Sequence, residues 1–159
     1  IEDIRKQYGL TRELYRMVNG AVDMINELEL MRRQAIDLAD RLSDRIDGVD
    51  VIRKSLRDME TRLAATEDRF SDLRLTGAGQ DTLRWPRKFY AKLISLIGLI
   101  EKSDYPPTDS QAEVFTHLKQ NYWELETEMA QLRNEVENLN RILQEADIRP
   151  ILLGDQLKK

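Results

Sequence analysis

No cysteine occurs in the chain, so neither a disulfide nor a thiolate-bound metal can hold it together, and that absence fits a cytosolic and a bacterial extracytoplasmic protein equally well. Histidine is present once, at position 117. A di-metal carboxylate centre in a helical bundle takes two His, each three residues after a Glu on the same face. Position 114 is Val, so no such centre is expected, and with its helical neighbours Phe115 and Leu118 on the core seam His117 reads as a bundle-edge residue. A Ser, His and Asp arrangement cannot be assembled either, because the single His stands off any strand-turn-helix elbow. Positive charge is in no surplus: 25 Lys and Arg stand against 29 Asp and Glu, a formal -4. That leaves nothing with which to neutralise a phosphate backbone, and nucleic acid is not an expected partner. The longest apolar run, LISLIGLI at 93 to 100, falls short of the roughly 18 residues of a membrane span. There is no Asn-x-Ser/Thr acceptor for N-glycosylation.

What is present is heptad-like helix. Charged residues make up 34% and hydrophobic ones 41%, a balance that excludes disorder and suits a soluble helical domain. The first apolar seam runs Leu14, Val18, Ala21, Ile25, Leu28, then Arg32 as an interruption, then Ala35, Ala39, Leu42, Ile46. A second stripe, Met17, Met24, Met31 and Leu38, widens that face enough to touch two neighbours. Asp47-Gly48 reads as a left-handed cap ending the helix. The next seam is Val49, Ile52, Leu56, Met59, Leu63, Thr66, Phe70, Leu73, with a polar face of alternating charge that reads as solvated surface. The last long segment runs Phe115, Leu118, Tyr122, Leu125, Met129, Leu132, Val136, Leu139, Leu143, and opens on Pro106-Pro107 and a capping box of Thr108 with Gln111.

Between the second and last seams the pattern breaks into LTGAGQDTLRWPRKFYAKL. Gly77 and Gly79 release the second helix, Asp81 can cap a short turn, and Pro86 suits the first position of a new helix reaching about Lys102. Phe89, Tyr90, Leu93, Ile94, Leu96, Ile97, Leu99 and Ile100 leave this helix little polar face, so it is expected to be enclosed by the others. TGAGQDT lacks the preceding strand and directly following helix of a phosphate loop. Leu83 and Trp85 are expected to plug the open end of the bundle. Arg84, Arg87 and Lys88 then flank a buried anchor rather than bind an anion, and Pro86 aims the short helix into the core. Tyr105, with Trp85, could instead frame a sugar-binding cleft.

From Leu75 onward the residues carry a resemblance. GQDTLRWPRKFYAKLISLIGLIEKSDYPPTDSQAEVF, a heptad helix containing ENLNRIL and a closing IRPIL resemble the helical C-terminal domain that follows the β-propeller in bacterial sortilin-like, Asp-box (BNR) repeat proteins, often labelled glycosyl hydrolases or exo-sialidases. The likeness follows a pattern of G-x-G-Q-D-x-L-R-[YW]-P and covers residues 75 to 151 well, residues 10 to 74 only as a helical pair. The Ser-x-Asp-x-Gly-x-x-Trp repeats of the propeller are absent here. The resemblance implies an accessory, non-enzymatic piece of a larger protein, export to the periplasm or outside, and the parent propeller or another chain as partner.

The expectation is therefore an all-α, antiparallel up-down-up-down bundle over residues 1 to 159, expected to form the C-terminal part of a longer protein. Its helices are placed near 11 to 46, 49 to 74, 86 to 102 and 109 to 146. Its expected role is packing or protein interaction without a cofactor, metal or catalytic residue, as a monomer or weak dimer. Two rivals stand beside it: a free-standing coiled-coil assembly module, and a carbohydrate-binding or glycosidase-associated domain with a site near Trp85 and Tyr105.

Overall fold

The computed structural model describes residues 2–75, 80–103 and 105–154. Among them every regular element is helical: α1 (Glu2–Arg41), α2 (Val49–Phe70), the short α3 (Asp81–Arg84), α4 (Phe89–Glu101) and α5 (Asp109–Glu145). The all-α bundle expected from the seams is the fold observed. Gly77 and Gly79, the expected release point of the second helix, lie outside the described residues.

Helix boundaries follow local chemistry. α1 starts at Glu2 rather than near residue 11, because nothing in its first turns breaks a helix and Gln7 ties them down, its Nε2 donating to the carbonyls of Ile100 (3.1 Å) and Ser103 (3.2 Å). It ends at Arg41 rather than near 46, where Ser43, Asp44 and Asp47 offer the backbone competing side-chain bonds. Gly48 does take the left-handed conformation, φ 71. It opens α2 rather than closing α1, since its carbonyl accepts from the N–H of Val51 (3.0 Å) and Ile52 (3.2 Å). α2 stops at Phe70, not 74. Beyond it the Asp68 and Asp72 carboxylates accept from the backbone N–H of Leu73 and Arg74, and Leu73, placed on the seam by sequence, is 44% exposed. The capping box forms as expected: Gln111 N–H donates to Thr108 Oγ1 (3.2 Å) and Thr108 N–H to Gln111 Oε1 (2.9 Å).

Contacts gather the chain into two compact units, one of residues up to Met24 with Asp68–Glu126, the other of Ile25–Glu67 with residues from Thr127 on. Each contains three long helical segments, so four do not lie side by side in either. In the first unit α4 runs against α1, its end at Gln7 and its start, through Phe89 and Tyr122 (6.2 Å between ring centroids), near Gly20. The pairs Glu13–Lys119 and Gly20–Tyr122 climb α1 and α5 together, giving those two helices the same sense where strict up-down-up-down order sets them opposite. Apolar seams report which face packs, not which way the neighbour runs. The core here is Leu14, Met17, Ala21, Phe70, Leu93, Ile100 and Leu125, all at 2% exposure or less.

In the second unit α2 runs against both of its neighbours: Arg32–Glu67 and Asp40–Arg57 step oppositely along α1 and α2, Thr66–Glu128 and Arg62–Glu135 oppositely along α2 and α5. The seam's break at Arg32 is explained by its partner, the 5% exposed Glu67, 2.8 Å away. α5 closes in a Schellman turn, Ile148 N–H donating to Leu143 O (2.8 Å), with Asp147 at φ 58 in the position glycine usually holds. The chain then returns along the helices. Asn140 clasps the backbone of Ile151 from both sides, Oδ1 accepting at 2.7 Å and Nδ2 donating at 2.8 Å, and Gln34 does the same for Leu152 at 2.9 and 3.0 Å. Ile151 is thereby sealed in the core at 0% exposure.

Candidate functional site: the outer face of α4

α4 is the helix whose sequence asks most of its surroundings, since its residues are apolar almost all the way round, the pattern of a helix buried on every side. The structure buries one side only. Phe89, Leu93, Leu96, Ile97 and Ile100 are buried, whereas Ile94 is 44% and Leu99 60% exposed. The expectation that α4 is enclosed by the rest of the chain is thus corrected: with two long neighbours in its unit, a helix can cover only about half its circumference. Gly98 lies on the uncovered side, where an added Cβ meets nothing within 4 Å.

Beside Leu99 an open apolar groove of about 380 Å³ runs between α4 and the start of α5. Leu96, Leu99, Val114 and Leu118 form its floor and walls, with Ser95, Ser110 and Gln111 among its polar lining. Its charged lining is wholly cationic, Arg87 and Lys92. Arg87 is steadied by a 2.8 Å bond from Nη1 to Ser95 Oγ. Across the other flank of α4, Tyr15 is 44% exposed and donates its hydroxyl to Glu101 at 2.8 Å; that carboxylate holds the phenol's pKa above its ordinary value.

The loop before α4 is a separate construction. Trp85 leaves α3 in extended conformation, φ -122 and ψ 142, as a residue preceding proline must. Its ring is half-buried and carries the Arg74 guanidinium at 3.8 Å from its centroid. Arg74 in turn makes two bonds, 2.8 and 2.6 Å, to the carboxylate of Asp72, a buried residue. Those bonds, with the Arg74 backbone N–H, hold the Asp72 pKa down to about 2 against the opposing effect of burial. Lys88 reaches Asp68 at 2.9 Å, which lowers the Asp68 pKa. The result is a charge-stitched latch over a small cavity of about 90 Å³ lined by Phe70, Trp85, Pro86 and Tyr90 among others.

The residues singled out in the sequence are thus dispersed. Trp85, Pro86 and Arg87 meet at the small cavity. Arg84 is exposed and bonds Gln80 at 3.2 Å, and Tyr105 is 77% exposed and no part of that cavity's lining. The side chain of Leu83 lies outside those described. Asp81 begins α3 and is buried rather than acting as its cap, the cap position being Gln80. His117 is exposed, and among the described residues no group of three or more His, Asp and Glu is placed to hold a metal ion. No described helix is long and apolar enough to cross a membrane. The sequence patterns single out neither Lys92 nor Val114 and count Leu99 among the residues to be enclosed; Lys92 and Leu99 each stand one residue from a buried position, Leu93 and Ile100.

No family model matches the chain, and comparison with curated proteins and with solved structures likewise returns no match.

Proposed function

We propose that this chain is a non-catalytic helical module for protein-protein interaction, and that its partner sits on the outer face of α4 and the groove beside it. One observation carries the reading: a largely apolar helix leaves Ile94 and Leu99 exposed, with an apolar groove beside Leu99, and exposed apolar surface of this kind marks interaction sites. The setting proposed for it, an accessory part of a larger exported β-propeller protein, rests on the resemblance of residues 75 to 151. Self-association on this reading is weak, a monomer or weak dimer at micromolar concentration.

A photo-crosslinking amino acid at position 99, in the protein as its own cells make it, should yield a discrete protein adduct. The same probe at the exposed position 137 of α5 should yield none. Equal labelling from both positions, or none from position 99, contradicts the reading.

A further inference from the structure

The groove between α4 and α5 states what kind of partner it takes. Its apolar floor of Leu96, Leu99, Val114 and Leu118 lies between two helices, a trough into which a third helix lays side chains spaced three and four apart. Its volume of about 380 Å³ suits a few aliphatic anchors. The second observation is electrostatic. The chain as a whole is acidic, at -4, yet both charged residues lining the groove, Arg87 and Lys92, are cationic. Both are exposed, and the bond Arg87 makes goes to a neutral hydroxyl, Ser95, so its charge is left to act outward. A cationic rim on an apolar trough selects against a basic partner and steers an acidic one.

We infer that the groove receives an amphipathic helix of another protein, one presenting aliphatic residues at i, i+3 or i+4 and i+7 flanked by carboxylates that meet Arg87 and Lys92. This rests on the interaction reading above and adds to it the chemistry of the partner. Ser110 and Gln111 belong to the lining. Because Gln111 is already committed to the cap of α5, that end of the trough is rigid before anything binds.

Two synthetic peptides of about 16 residues test it. Both carry Leu at the same four positions of one helical face, one flanked by Glu and the other by Lys. Fluorescence anisotropy with the full chain should show the Glu peptide binding at least about tenfold tighter than the Lys peptide, a preference that collapses in high salt. Reversing both rim charges, Arg87→Glu with Lys92→Glu, should invert the preference. Leu99→Ser, at a position already 60% exposed, should abolish binding of either peptide while the circular dichroism spectrum stays helical. If Leu99→Ser abolishes binding but the peptides bind equally, the interaction surface stands and the acidic partner is refuted. If the Glu peptide fails to bind at about 100 µM, or binds Leu99→Ser unchanged, the groove assignment itself is overturned. A dimer by light scattering that Leu99→Ser dissociates also overturns it, since a second copy then fills the trough.

Discussion

Replacing Asn140 by Ala should loosen the returning tail of the second unit and cost the protein about 1 to 3 kcal/mol. The reasoning is a count of orphaned groups. Asn140 supplies the acceptor for the Ile151 N–H at 2.7 Å and the donor for its carbonyl at 2.8 Å, and Ile151 is wholly buried. Removing the amide strands one backbone donor and one acceptor away from water, about 1 to 3 kcal/mol each. Ala improves helix propensity by roughly 0.5 kcal/mol. The loss is capped by a second route, in which the tail detaches, regains water and forfeits the burial of the Ile151 side chain, worth about 1.5 to 3 kcal/mol. Urea denaturation of Asn140→Ala reads the total. Hydrogen exchange at the Leu152 amide, held by Gln34 at 2.9 Å, tells the routes apart, because it speeds up only if the tail lets go. Gln34→Ala should then be subadditive with Asn140→Ala, since a tail already released has nothing further to lose. A loss below about 0.5 kcal/mol with unchanged exchange would refute the clasp as an energetic element.

Three further outcomes are expected. Gly20→Ala should destabilise by about 1 to 3 kcal/mol, as in overpacked cores, because the new Cβ would lie 2.0 Å from the Tyr122 hydroxyl; a shift of the Tyr122 pKa from about 12 toward its usual value would show the ring displaced from the burial, and the neighbouring Glu126, that raise it, and an unaltered melt would contradict the close approach. Asp72→Asn should lower Tm at neutral pH, with the difference from wild type shrinking as pH falls from about 4 to about 2: a carboxylate whose folded pKa is depressed contributes stability above its unfolded pKa and loses it as pH drops through the folded one. A difference that grows on acidification would reverse that assignment. Trp85→Ala should cost about 2 kcal/mol, less than a fully buried Trp loses, because its ring is half-exposed and held by Arg74 at 3.8 Å. Strongly red-shifted emission from Trp85, read in a Trp123→Phe background and freely quenched by iodide, would contradict the latch.

How much of this was legible in advance depends on the residue. The Met17, Met24, Met31 and Leu38 stripe is buried throughout, because a helical period fixes a face whatever the neighbour is. The Thr108 and Gln111 box formed because both of its bonds are local. Gly48 showed its left-handed conformation but not its side, since a turn glycine between two helices can belong to either. Arg32 read as a defect in the seam, and only a residue 35 positions away, Glu67, explains it. Trp85 reads in the sequence as a sealed plug because its partner, the Arg74 guanidinium, is polar and periodicity sees apolar residues only. The same blindness hid the groove. A run as apolar as FYAKLISLIGLIE suggests enclosure, and whether enclosure comes from the same chain is a matter of how many helices surround it, which no local pattern records.

The claim at the centre is that α4's outer face is covered by another protein. Hydroxyl-radical footprinting of Ile94, Leu99 and Val114, at 44%, 60% and 46% exposure, measures it directly, once on the purified chain and once inside the cells that make it. The expected result is heavy oxidation of all three when the chain is alone and marked protection in the cell, while exposed Val51 of α2, at 71%, stays equally reactive in both. Equal oxidation of Leu99 in the two settings would contradict it.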